Sequence, residues 1–130
     1  LNVRKDFPGD WPGDTTNAFD QKGRTPEQND AFDFMRKLLK WRKNSPVIHT
    51  GKLKHYIPEE NVYVYFRYND NKKIMVVLNA GSEEKTVSTE RFNEDLMGVT
   101  RGKEITTETT ITDLKSLKVP GMTAFVYELN

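Results

Sequence analysis

The hydrophobic period of this chain changes once, near Asn44-Ser45-Pro46, and that change sets most of what the chain can fold into. Upstream, Ala31, Phe34, Met35, Leu38 and Leu39 fall at i, i+3, i+4, i+7 and i+8, the spacing of one helix face. Phe32 and Trp41 widen the stripe. The spacing predicts one helix over residues 25–44. Thr25 suits the N-cap, Pro26 the first helical position, and Gln28 completes a Thr-x-x-Gln capping box. Glu27 and Asp30 complement the positive end of the helix dipole, and Lys40, Arg42 and Lys43 the negative end. Asn44 accepts the left-handed conformation that ends a helix, and Pro46 cannot continue one. From Val47 onward the period is two.

Strands are predicted over 53–57, 62–68, 73–79, 85–89, 104–111 and 123–129, with turns at Asn69-Asp70-Asn71, Asn79-Ala80-Gly81-Ser82 and Val119-Pro120-Gly121. Residues 91–99 are ambiguous and allow a helical turn around 92–96. The run Ile74-Met75-Val76-Val77-Leu78 is apolar without alternation, as in a central strand covered on both faces. Several short strands with regular turns point to a mostly β, antiparallel β-sandwich after one helix. Residues 1–24 differ from both zones. They are rich in Gly, Pro and Asp, yet carry Phe7, Trp11 and Phe19, so they read as a long loop rather than a linker.

Composition narrows the function classes. The chain has 130 residues, 20 Lys+Arg against 19 Asp+Glu, and no cysteine. Interspersed charges of both signs give no basic patch for nucleic acid. A disulfide framework and a thiolate zinc site are excluded. No apolar run reaches the length of a membrane helix. The chain starts at Leu1 without a signal-like pattern, as expected of a piece of something longer.

The first fifty residues also resemble a known family. The stretch from Arg4 to Asp14, with Asp6-Phe7-Pro8-Gly9-Asp10-Trp11 at its centre, is similar to a loop late in the α-amylase family, glycoside hydrolase family 13. The similarity is greatest to the neopullulanase and cyclomaltodextrinase branch, where an Asp-Phe-Pro-Gly-Gly-Trp run follows the last barrel strand. Asp10 stands where that run has its second glycine. The segment from Arg24 to Arg42 resembles that family's final barrel helix. Ser45-Pro46-Val47-Ile48-His49-Thr50-Gly51 resembles its hinge into the C-terminal domain, and residues 62–67 and 75–79 resemble the first paired strands of that domain.

The resemblance implies that residues 1–46 close a (β/α)8 barrel and that 47–130 form a Greek-key type C-terminal sandwich. It implies a parent enzyme for α-glucans, working by retaining hydrolysis with two carboxylates at the barrel mouth. The motifs carrying those carboxylates are not in this sequence, so no catalytic residue is carried over. The expected role is a non-catalytic accessory domain, whose partners are the missing barrel of the same chain and the parent's α-glucan. Two other readings stay open: an independent carbohydrate-binding module and a protein-interaction sandwich. Helix 25–44, if uncovered, could also serve as a dimer contact. Family analogy suggests a periplasmic or extracellular location.

Several single residues are candidates on the same basis. Arg4, Asp6 and Trp11 are candidate substrate contacts at the rim of the parent cleft; Trp11 would stack on a sugar ring. Asp6, Asp10 and Asp14 recur every four residues, but without the Asp-x-Asp-x-Asp-Gly pattern of a calcium loop, and read as turn formers. Calcium is compatible with the parent; no cofactor and no metal site is expected here. His49 and His55 lack a third ligand nearby. Trp41 is expected to face the barrel. Tyr56, Tyr63, Tyr65 and Tyr68 suggest either cross-strand pairs or a sugar-binding surface.

Overall fold

The computed structural model describes residues 7–9 and 11–130. Two compact units divide the chain, Leu1–Lys37 and Leu38–Asn130. The first holds a loop, a single 3-10 turn at Gln21–Gly23, and most of helix α1 (Pro26–Lys43). Its capping box forms in both directions. The Thr25 N–H donates to Gln28 Oε1 at 2.9 Å, and the Gln28 N–H donates to Thr25 Oγ1 at 3.3 Å. No residue of α1 is buried, and Phe32, Phe34, Met35 and Leu39 are all exposed.

The second unit is a sandwich of unequal sheets. Strands β1 (Lys52–His55), β2 (Val62–Tyr68), β3 (Lys73–Asn79), β8 (Thr123–Leu129), β5 (Gly102–Glu104) and β6 (Thr110–Ile111) form one sheet in that spatial order. Strands β4 (Lys85–Ser88) and β7 (Ser116–Val119) form the other. All pairings are antiparallel. β8 returns beside β3 after an excursion through the second sheet and the small sheet edge. Alternation puts Val62, Val64 and Phe66 of β2 inward, with Met75 and Val77 of β3 and Leu117 and Val119 of β7. Phe92 and Leu114 plug the same core.

The apolar run in β3 is buried on both faces, as its lack of alternation predicts. Met75 and Val77 enter the sandwich core, while Ile74 and Val76 meet Val47, Trp41 and Ile48 on the outer face. Trp41 therefore departs from expectation: it packs on the sheet of the sandwich. Its Nε1–H donates to Glu128 Oε1 at 2.5 Å. The C-terminal turn of α1 thus belongs to the β unit.

Other boundaries are also corrected. Pro46–Thr50 is a short helix, α2, because Pro46 at its first position starts a helix as readily as it stops one. Gly51 then lets β1 turn away at close quarters; a Cβ there would lie 2.2 Å from the Val47 carbonyl oxygen. The 104–111 stretch is not one strand: Glu104 ends β5, residues 105–109 turn, and Thr110–Ile111 is β6. β7 is new, and it takes in Val119, which the Pro120-Gly121 signal had drawn into a turn. A 3-10 turn at Glu90–Phe92 and helix α3 (Asn93–Leu96) resolve the ambiguous 91–99 segment. The Asn69 turn forms as expected, with its Oδ1 accepting from the N–H groups of Asn71 and Lys72.

Candidate functional site

The sequence points to three places where chemistry could reside: the Trp11 loop, the tyrosines and the histidines. Arg4, Asp6 and Asp10 lie outside the described residues. Trp11 is displayed, with 70% of its surface exposed. The loop that holds it is built by Asp14. The Asp14 carboxylate accepts from the N–H of Gly9 at 2.7 Å and of Trp11 at 3.4 Å, while the Asp14 N–H donates to the Trp11 carbonyl. Asp14 is thus a turn former, as its setting predicts. Arg24 fastens the loop's far end by donating to the carbonyls of Ala18 and Phe19 and to Asn29 Oδ1.

The tyrosines separate into two groups. Tyr63 and Tyr65 share the outer face of β2, with ring centroids 5.5 Å apart, and His55 meets Tyr63 edge-on at 6.2 Å. Tyr56 lies on the opposite face, its ring in edge contact with Phe92 at 4.6 Å and Phe66 at 6.0 Å. Lys54 Nζ and the Arg91 guanidinium sit over that ring, 5.6 and 5.8 Å from its centroid. Its hydroxyl donates to Asp95 Oδ2 at 2.5 Å. Burial, then the Asp95 hydrogen bond, pushes the Tyr56 phenol up. Lys54 completes the cluster, 2.9 Å from both Asp95 and Glu94, and these carboxylates hold its ammonium above the ordinary value. Lys73 Nζ donates to the Asp95 carbonyl. The cluster spends its polar atoms on one another and ties β1 and β3 to α3.

The histidines do not converge. His49 Nε2 lies 2.9 Å from the Arg42 carbonyl, and His55 belongs to the tyrosine face. Among the described residues no group of three His, Cys, Asp or Glu has metal-binding geometry.

Two features were not read from the sequence. Glu104 is only 2% exposed, yet its carboxylate is fully served. Oε2 accepts from the N–H and hydroxyl groups of both Thr106 and Thr107, and Oε1 accepts from the Val126 N–H. Burial alone would raise its pKa, but these five donors outweigh it and hold the carboxyl below its ordinary value. The charge in turn adds to burial in pushing Tyr127 up to about 12. The signal for this nest was the Thr-rich run after Glu104, which reads equally well as strand propensity.

The second feature is an open cleft of about 470 Å³ between the two sheets. One wall is the hairpin from Tyr56 to Val62, whose tight turn places Glu60 at φ 49° and Asn61 at φ 67°, the pattern of a type I′ turn. The other wall is β4 followed by the Glu90–Phe92 turn. Lys85 pairs with Glu60 at 3.6 Å, and Arg91 pairs with Glu59, each across the cleft. Arg91 also donates to the Ile57 carbonyl. These residues are far apart in sequence and carry no shared motif, so only the sandwich pairing brings them together.

Residues 53–128 match the family model described as the cyclo-malto-dextrinase C-terminal domain. Similar solved structures include AmyP in complex with maltotriose, at TM-score 0.74 and 15% identity over 92% of this chain and 23% of that one. The α-amylase from Geobacillus thermoleovorans complexed with acarbose matches at TM-score 0.65 and 19% identity, over 85% of this chain and 24% of that one. The trehalulose synthase MutB from Pseudomonas mesoacidophila MX-45 matches at TM-score 0.57 and 21% identity, over 73% and 17%. At these identities the likeness is one of fold. This chain spans about a sixth to a quarter of the length of the solved proteins it matches.

Proposed function

We propose, from the premise that this chain belongs to the cyclo-malto-dextrinase C-terminal domain family, that it is the accessory C-terminal part of a larger α-glucan-hydrolysing enzyme. The observation that carries the reading is the family match over the sandwich. It is supported by neighbours of the same fold that are about four times as long, one of them named as an α-amylase.

In this reading the catalytic carboxylates belong to a (β/α)8 barrel that precedes the sandwich, and residues 1–46 complete that barrel. The uncovered stripe of α1 is then barrel-facing surface: Phe32, Phe34, Met35 and Leu39 are too apolar and too close together for a solvated helix face. Residues 47–130 act as a structural domain. Trp11, with Arg4 and Asp6, contributes to the rim of the substrate cleft. The stripe also admits a second reading, a dimer of this chain through helix 25–44.

The upstream coding sequence tests the proposal. Eight β-strands and the seven helices between them, with Asp and Glu at strand ends, are expected before Leu1. Their absence there, with an unrelated domain in their place, would remove the enzyme reading.

A further inference from the structure

The cleft between the 56–62 hairpin and β4 takes no part in the role proposed above. Its volume of about 470 Å³ is that of a small-molecule site. The backbone supplies its first polar groups. β4 pairs with β7 alone. Because the Thr89 N–H donates to the Lys115 carbonyl, the residues in phase with it, Val87 and Lys85, turn their backbone groups toward β7. Thr86 and Ser88 therefore turn theirs to the open edge, which lines the cleft.

The charged side chains supply the second set. Lys85 and Arg91 stand on the β4 side, and Glu60 and Glu59 face them from the hairpin. The two carboxylates are 80% and 67% exposed, so lone pairs remain for a ligand. The floor is apolar, formed by Val62, Val64, Val87 and Phe92.

We propose that this cleft binds a short neutral saccharide. A polyol donates to the Glu59 and Glu60 carboxylates and to the edge carbonyls, and it accepts from the edge N–H groups and the Arg91 guanidinium. Both ion pairs survive that exchange. A charged ligand would compete with one of these exposed pairs, whereas a neutral one competes with neither. The C–H face of the sugar ring lies on the valines. An extended peptide fits less well: β4 turns the backbone groups of just two residues outward, and ion pairs cross the cleft near both ends of the strand.

The choice of an α-linked probe rests on the proposed function. The test is an amide-resonance titration of the whole 130-residue chain with maltotriose, cellotriose, inorganic phosphate and a capped Thr/Val tetrapeptide. Maltotriose is expected to shift the amides of Glu59, Glu60, Thr86 and Ser88 with a millimolar Kd. The double substitution Glu59→Gln, Glu60→Gln should weaken that binding about fivefold, since an amide oxygen accepts less strongly than a carboxylate. Its melting temperature checks that the fold is retained. Cellotriose alone shifting these amides would support a saccharide site while removing the α-glucan reading. No shift with either saccharide, in a chain whose longer parent degrades starch, would overturn the site and leave the proposed function standing. Shifts caused by phosphate or the peptide instead would also overturn it.

Discussion

Glu104 shows what a single buried charge does in this sandwich. Five hydrogen bonds replace its hydration shell and stiffen the corner between β5 and β6. Glu104→Gln should cost about 1.5–3 kcal/mol in urea unfolding at neutral pH, the range for hydrogen bonds to a charged group. The pH dependence has a definite sign. The folded pKa lies below the unfolded value of about 4.3, so the unfolded state takes up protons first as pH falls. The stabilisation is complete above about pH 4.3 and is lost as pH drops through the folded value. Unfolding curves between neutral and strongly acidic pH should therefore be steeper in acid for the native chain than for Glu104→Gln. Met122 is the opposite case. It is exposed, and its φ of 53° costs a non-glycine residue energy. Met122→Gly should relieve about 1–3 kcal/mol of strain against about 0.4–1 kcal/mol of added unfolded-chain entropy, a net gain read as a rise in melting temperature. Neither residue stood out in the sequence. A glutamate before threonines and a methionine after Pro-Gly acquire their roles only from the fold around them.

At the scale of elements, legibility followed locality. Helix α1 was readable because its caps, charges and stripe lie within one window, and its capping box forms as the spacing requires. Thr25→Ala should cost about 1 kcal/mol of helix stability, visible as faster amide exchange in the first turn. β2 and β3 were readable because a period of two, or an unbroken apolar run, persists over seven residues. The β5–β6 pair was not, because strands of two or three residues are too short to show a period, and β7 was not, because the Pro120-Gly121 turn signal drew in its end. The face of α1 that meets the sheet was misjudged at Trp41 for a related reason. The stripe tells which residues are apolar, but not that the last helical turn has a different partner from the first. Trp41→Phe keeps the ring and deletes the bond to Glu128. A loss of about 1.5–3 kcal/mol is expected in denaturant unfolding, since the acceptor is charged.

The whole molecule is a sandwich with a helix stripe that nothing in the second unit's core accounts for. The sandwich core explains why residues 38–130 fold together, and the family match gives that core a lineage. The stripe of Phe32, Phe34, Met35 and Leu39, and the displayed Trp11, instead fit a surface that works in a larger body. In that body Trp11→Ala should raise KM about fivefold, the equivalent of about 1 kcal/mol of lost stacking, and leave the sandwich intact. Where hydrolysis resides decides whether the sandwich is an accessory domain. The direct measurement is reducing-sugar release from maltoheptaose by the purified 130-residue chain beside the same chain joined to its upstream sequence. An accessory role predicts turnover by the longer protein and none by the chain alone. Turnover by the chain alone, abolished by replacing Asp6 or Asp10, would contradict it, as would a longer protein inert toward every α-glucan.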